Sequence, residues 1–157
     1  MYWYFRKWTP DGTIEIAHKA LRKKLRKQKG KNESASVGII DSASVRMRSI
    51  SGQPSGIDGN KKIKGNKRYI IVDTMGLIIC VSLHAANIHD SKGAKAVFEK
   101  LYDIRHDEEL LTKIFAEGWY QGELGQWVKD RPGMDMEVVK RNETGKWEVL
   151  LKRCLPD

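Results

Sequence analysis

The stretch VGIIDSASV, residues 37–45, has the composition of a buried β-strand, with apolar or small residues at nearly every position. A single acidic residue, Asp41, interrupts it. Burying an unpaired carboxylate costs several kcal/mol or more, so we expect Asp41 to have a hydrogen-bond partner or a metal ion beside it. The alternative is that Asp41 only caps the end of the strand or holds the adjoining loop.

A β-hairpin is predicted further along the chain. Tyr69 to Asp73 and Leu77 to Leu83 are strand-like, and Met75-Gly76 between them is typical of a tight turn. Residues 46–66 are rich in Gly, Lys and Ser and show no periodicity. They are predicted to form a long loop, which in a compact domain is usually functional or disordered.

Helices and strands alternate after the hairpin. The sequence predicts a helix begun by Asp90 or Ser91, a strand over residues 110–116 and a second helix that closes near Arg131. Two further strands are predicted over residues 136–139 and 147–151. The predicted apolar helix positions are Ala94, Val97, Phe98 and Leu101 in the first helix, and Leu124, Trp127 and Val128 in the second. This order predicts an α/β sheet with both faces covered, with the hairpin antiparallel to the first strand and the 110–116 strand parallel to it.

Residues 1–34 are predicted to form a helical, basic N-terminal segment, separate from a second domain over residues 35–157. Five aromatic residues lie among residues 2–8, and we expect them to pack a helix against a core rather than to stack on bases. A second helix, capped by Thr13, would present Ile14, Ala17, Leu21 and Leu25 on one face.

Glu117 is the second acidic residue of interest, because it ends the strand predicted to lie beside that of Asp41. Two carboxylates at the ends of adjacent strands can hold a divalent metal between them. Paired metal ions stabilise the attacking and leaving oxygens in phosphoryl transfer. The alternative is that Glu117 is a surface residue that opens the next helix.

Basic residues cluster in two places, and the formal net charge of +9 favours a polyanionic partner. Solvated charge runs are the alternative in both places. Charge alone does not distinguish DNA, RNA and an anionic membrane as this partner. The loop cations suited to contact phosphates are Lys61, Lys62, Lys64, Lys67 and Arg68, and those of the N-terminal helix are Arg22, Lys23 and Arg26.

The histidines, the cysteines and the apolar runs bear on zinc binding, disulfides and membrane contact. His84 and His89 are five residues apart, which does not place them on one helical face, and no third strong ligand lies nearby, so we do not expect zinc. Cys80 and Cys154 do not form a disulfide pattern, which fits a reducing cytoplasm. No apolar run has the length of a membrane span, so no membrane partner is expected.

In combination, these segments closely resemble bacterial insertion-sequence transposases of the DDE class. Residues 39–45 look like the first acidic motif of that family, and residues 61–77 closely resemble its basic loop and first hairpin. Residues 85–94 are similar to the stretch that follows, and FAEGWYQG at residues 115–122 matches the second acidic motif. The resemblance runs through nearly the whole chain.

The resemblance implies a ribonuclease H-like fold, with a mixed sheet, flanking helices and a short helical N-terminal segment. It implies a nucleoid-associated cytoplasmic protein that acts on double-stranded DNA, at transposon ends and target, as a homodimer or with full-length transposase. Three carboxylates would hold Mg²⁺ or Mn²⁺, and water and then a DNA 3′-hydroxyl would attack phosphodiesters. Asp41 would be the first carboxylate and Glu117 the second, at a position where the family usually has Asp.

The third carboxylate of the family lies on a helix beyond the strand predicted at residues 147–151, where this chain ends. We therefore expect a C-terminally truncated transposase that is inactive alone. One alternative is a non-catalytic DNA-binding remnant that interferes with an intact transposase. Another is a distinct nuclease that combines Asp41 and Glu117 with Asp73 or Asp90.

Overall fold

The computed structural model describes residues 2–46, 56–58, 62–88, 90–120, 122–131 and 133–139. The chain divides into two compact units, Met1–Ser34 and Ala35–Asp157. The strand predicted at residues 147–151 lies outside the described residues.

The first unit contains two helices, α1 (Tyr2–Trp8) and α2 (Thr13–Gln28). The prediction that the aromatic residues pack against a core is wrong, since no α1 residue is buried and Tyr2 and Trp3 are 73% and 64% exposed. The rings instead contact one another and the cations between them. Trp3 and Tyr4 have ring centroids 5.0 Å apart, and the Nζ atom of Lys7 lies 5.3 Å from the Trp3 ring.

Helix α2 begins one residue earlier than predicted, because Thr13 is its first residue rather than its cap. Gly12 precedes it in the left-handed conformation, and Asp11 accepts a hydrogen bond from the Thr13 amide at 3.0 Å. Leu21, which belongs to the predicted apolar face, is 67% exposed. Arg22 and Arg26 are the buried residues of this helix.

The second unit is built on a six-stranded mixed sheet. Its strands are β1 (Val37–Arg46), β2 (Gly56–Asp58), β3 (Ile63–Asp73), β4 (Ile78–Ala85), β5 (Lys113–Glu117) and β6 (Asp135–Val139). The spatial order is β2-β3-β1-β5-β6, and β4 also pairs with β3. Because β2 pairs with residues 63–65 of β3 and β4 with residues 66–72, both lie along the edge of β3 that faces away from β1.

The pairing directions confirm the predicted arrangement. β3 and β4 form an antiparallel hairpin, with Gly76 in the left-handed conformation at its turn, and β3 is antiparallel to β1. β5 is parallel to β1, and β6 is parallel to β5. An antiparallel three-strand unit extended by two parallel strands on the far side of β1 is the ribonuclease H-like arrangement that the resemblance implied.

The largest difference from the predicted boundaries is at the loop after β1. The loop predicted over residues 46–66 contains β2 and the start of β3, which begins at Ile63 and not at Tyr69. The segment KGNKR has no apolar alternation, but residues 65–68 of it pair with residues 43–46 of β1. Strand pairing thus overrides the local pattern, and Lys64, Lys67 and Arg68 lie on a strand.

Helices α3 (Asp90–Asp103) and α4 (Glu123–Asp130) pack on one face of the sheet, as the core contacts show. The four predicted apolar positions of α3 are all completely buried, and those of α4 are buried or partly buried. These side chains pack with Ile40 of β1 and Ile71 of β3, so this is the core face of the sheet. Among the described helices, none combines the length and apolarity needed to cross a membrane.

Candidate active site

Asp41 lies on the face of the sheet opposite the core. Ile40 is 1% exposed on the core face, and because side chains alternate along a strand, Asp41 points the other way, where it is exposed. Its Oδ1 atom accepts a hydrogen bond of 2.7 Å from the Ser42 amide. The expectation of a buried carboxylate in an apolar strand is therefore wrong, because it is the neighbouring Ile40 that is buried in the core while Asp41 is exposed.

Glu117 occupies the position on β5 that corresponds to Asp41 on β1. The parallel register pairs Val37 with Lys113 and Ile39 with Phe115. Two residues beyond the last pair, this register reaches Asp41 on one strand and Glu117 on the other. Both are exposed, and both share a face with the Ile39 and Phe115 pair. Asp41 and Glu117 thus occupy equivalent positions on one face of the two neighbouring strands, each two residues beyond the last register pair.

A second polar pair lies on this face at the other end of β5. The Nζ atom of Lys113 lies 3.0 Å from Oε2 of Glu137 on β6 and 5.3 Å from the ring centroid of Phe115. Glu137 is a carboxylate near Glu117 that sequence reasoning missed. Its ion pair with Lys113 gives it a structural partner away from Asp41, on the far side of β5.

Asp73 does not join this site. It is completely buried, and it pairs with Gly38, three residues before Asp41 and on the core face of the sheet. Its Oδ1 atom accepts hydrogen bonds from the amides of Met75 at 2.8 Å and Leu77 at 2.9 Å, which holds the hairpin turn. The side chain of Asp90, the alternative partner, lies outside what the structure describes.

The structure describes only one of the two histidines that were considered, and rejected, as zinc ligands. The Nε2 atom of His84 lies 3.1 Å from the Ser82 hydroxyl, and the His84 ring stacks edge-on against Tyr69, while His89 lies outside the described residues. Within the described ranges, no group of three or more His, Cys, Asp or Glu side chains could hold a metal ion. The described carboxylates at the site are thus the pair Asp41 and Glu117.

The predicted phosphate-binding cations of the second unit fall on two faces. Lys64 and Arg68 are exposed, and they lie on the Asp41 face because β3 pairs in register with β1. Lys67 points to the opposite face and is only 8% exposed. Lys62 is exposed just before β3, and Lys61 lies outside the described residues.

In the first unit, the predicted DNA-binding residues differ in their surroundings. Arg26 is buried and donates hydrogen bonds to the backbone carbonyls of Asn32 at 2.7 Å and Ser34 at 3.4 Å. Arg22 is also buried, whereas Lys23 is half-buried. Arg26 therefore stabilises the backbone that follows α2 in the first unit.

Comparison with known proteins identifies one family. The sequence profile of the family described as "Transposase DDE domain" matches residues 32–151. No curated protein matches the sequence significantly.

Two solved transposase structures are similar to this chain. One is a piggyBac transposase synaptic complex with hairpin DNA, at 17% identity and a TM-score of 0.39, over 78% of this chain and 27% of that chain. The other is a Mos1 transposase paired-end complex with left transposon end, at 10% identity and a TM-score of 0.44, over 87% and 51% of the two chains. This chain thus spans about a quarter and half of the lengths of these two proteins.

Proposed function

The chain belongs to the transposase DDE-domain family, and on that premise we propose that it serves DNA transposition by metal-dependent phosphodiester cleavage and strand transfer. The observation that supports this most strongly is that Asp41 and Glu117 are both exposed and lie at equivalent positions on one face of the sheet, each two residues beyond the last β1–β5 pair. In this proposal both are catalytic carboxylates that hold metal, and double-stranded DNA at transposon ends and target is the substrate.

The carboxylate pair fits Mg²⁺ or Mn²⁺. Mg²⁺ is commonly held by one or two carboxylates and keeps waters or substrate phosphate oxygens in its other positions. Asp41 and Glu117 would supply the carboxylate oxygens, and their exposure leaves room for water and a phosphate. When bound, such an ion stabilises negative charge on a reacting phosphate and lowers the pKa of bound water.

The charge distribution supports a DNA substrate. A phosphate that approached two carboxylates alone would be repelled, but the whole chain carries a net charge of +9, and two exposed cations lie on the Asp41 face. Cations that neutralise phosphates release counterions and make binding strongly dependent on salt.

We further propose that this chain is inactive alone. The family chemistry uses three carboxylates, and the described residues bring two to the site. A homodimer or association with a full-length transposase could complete the assembly. The chain would then bind DNA and metal without cleaving DNA efficiently.

Metal binding and DNA nicking together test the proposal. We expect the full chain to bind Mn²⁺ and Asp41→Asn to lose that binding, whereas Asp103→Asn, which removes an exposed carboxylate from the end of α3, should retain it. If wild type and Asp41→Asn bound Mn²⁺ equally, the metal site would be refuted. Robust Mn²⁺-dependent nicking of supercoiled plasmid that Asp41→Asn abolishes would refute inactivity alone but support the catalytic assignment.

The positive charge also favours a second function, a non-catalytic DNA-binding protein that interferes with an intact transposase. This alternative predicts salt-sensitive duplex binding that does not change when Mn²⁺ is added or Asp41 is replaced. It also predicts inhibition of an intact transposase in a mixed assay. Absence of duplex binding at low salt would exclude it.

A further inference from the structure

Arg68 lies diagonally across from Asp41 on the same face of the sheet. The antiparallel register pairs Asp41 with Ile70 and Ala43 with Arg68. Diagonal neighbours of this kind have β-carbons about 7–8 Å apart, a distance that long side chains span. A phosphate held at the carboxylate pair would therefore be within reach of the Arg68 guanidinium.

The other cations of this segment are not equivalent to Arg68. Lys67 immediately precedes it, points to the core face opposite His84 and is almost completely buried. Lys64 is exposed and shares the face of Arg68, but it lies four residues, or about 13 Å, further along the strand. Arg68 is thus the member of the segment placed next to the carboxylates.

The surroundings of Arg68 leave its guanidinium available. The side chain is exposed, and among the described residues no carboxylate forms an ion pair with it. On the neighbouring strand β4, Arg68 is paired with Leu83, which is 63% exposed and offers no competing charge. Guanidinium groups bind phosphate through two parallel hydrogen bonds, which fixes the position of the phosphate as well as its charge.

We propose that Arg68 binds the same DNA phosphate that the metal at Asp41 and Glu117 engages, so that guanidinium and metal hold it from two sides. This inference rests on the proposed function. Lys64 continues the row of cations and contacts a neighbouring phosphate of the same duplex. Arg68 and Lys67 therefore lie on opposite faces of β3, where Arg68 binds phosphate and Lys67 has a structural role.

A double-mutant cycle tests this inference. The affinity of the full chain for a short labelled DNA duplex is measured at low salt in Ca²⁺, which occupies oxygen sites without supporting cleavage, and in EDTA. The variants are Arg68→Gln, Asp41→Asn and the double variant. Arg131→Gln is the matched control, since Arg131 is exposed after α4 and lies over the Tyr102 ring of α3, on the helical side of the sheet.

We expect Arg68→Gln to weaken binding in Ca²⁺ about tenfold, as loss of a charged hydrogen-bonding group does, and Arg131→Gln to weaken it less. In the double variant, Asp41→Asn should weaken DNA binding little beyond the effect of Arg68→Gln, because either change alone releases the shared phosphate. In EDTA, Arg68→Gln and Arg131→Gln should weaken DNA binding to the same extent. Circular dichroism checks that each variant is folded.

Two results would overturn the inference while leaving the proposed function intact. In one, Arg68→Gln and Arg131→Gln lose equal affinity in Ca²⁺. In the other, the effects of Arg68→Gln and Asp41→Asn multiply, which would place the two residues on different phosphates. If wild-type binding responds to neither Ca²⁺ nor Asp41→Asn, the proposed function itself fails, and this inference fails with it.

Discussion

Asp41 and Glu117 occupy equivalent positions on one face of the sheet, each two residues beyond Ile39 and Phe115, the last pair in the parallel register of β1 and β5. The apolar pair thus sets the position of the carboxylate pair, two residues further along both strands. Both acids emerge on the side of the sheet away from α3 and α4, where they are exposed. The core fixes the backbone of both strands while leaving the two carboxylates exposed.

Shortening the second carboxylate should improve the site. Family members usually have Asp where this chain has Glu117, and the extra methylene displaces the carboxylate by about one bond length, 1.5 Å. We expect Glu117→Asp to tighten Mn²⁺ binding, measured by electron paramagnetic resonance, because the shorter side chain returns the carboxylate to the position that Asp gives it in the family. A displacement near 1 Å can cost ~10²-fold in rate, so any nicking activity should rise as well.

Glu117→Gln is the control for this substitution, since it keeps the length and removes the charge. It should weaken Mn²⁺ binding about tenfold or more, by the loss of a ligand. If Glu117→Asp bound Mn²⁺ more weakly than the wild type, the longer side chain would be the fitted one.

Removing the carboxylate of Asp73 should destabilise the fold without affecting metal binding. Asp73→Ala leaves the part-buried amides of Met75 and Leu77 without their acceptor, at a cost of about 1–3 kcal/mol in the free energy of unfolding. Asp73→Asn should cost less, because its carbonyl oxygen can still accept. Urea denaturation measures both effects, and a folded Asp73→Ala protein that failed to bind Mn²⁺ would assign Asp73 to the metal site.

Much of this fold could be predicted from apolar periodicity. The spacing of Val97, Phe98 and Leu101 identifies the buried face of α3, and the alternation around Met75-Gly76 identifies the hairpin. These patterns record burial, which the sequence encodes locally. The prediction that Asp41 and Glu117 lie on neighbouring strands rested instead on the order of the motifs and on the expected parallel arrangement of those strands.

The remainder depends on contacts that local sequence does not record. The segment that contains Lys64, Lys67 and Arg68 resembles a loop, because nothing in its side chains shows that β1 continues far enough to pair with it. Only that pairing reveals which cations share the face of Asp41. The burial of Arg26 likewise depends on backbone carbonyls at residues 32 and 34, which a count of charges does not identify.

Acidification should weaken the start of α2. Hydrogen bonds from the Thr13 hydroxyl and amide, with a smaller contribution from Lys7, hold the pKa of Asp11 below its ordinary value. Because the folded-state pKa is depressed, the stabilisation is fully present above the ordinary pKa and is lost as pH falls through the lowered value. An NMR titration should show the Thr13 amide shifting with the Asp11 carboxylate in that acidic window, and Asp11→Ala should remove the transition. An Asp11 pKa at or above the ordinary value would contradict the observed geometry.

Replacing Gly93 by alanine should destabilise the second unit, although alanine favours helices. A β-carbon at Gly93 would overlap ring atoms of Tyr69, which is completely buried and has no free space to move into. Overpacking of this kind costs about 1–3 kcal/mol, more than the ~1 kcal/mol that alanine gains over glycine within a helix.

Gly125→Ala in α4 provides the matched comparison. Its β-carbon would meet only the methyl group of Met136, at an ordinary contact distance of 3.6 Å, so this variant should gain about 0.5–1 kcal/mol. Thermal denaturation should therefore move in opposite directions for the two glycines. A stabilised Gly93→Ala protein would mean that α3 does not pack so closely on Tyr69, and the position of this helix over β3 would then have to be revised.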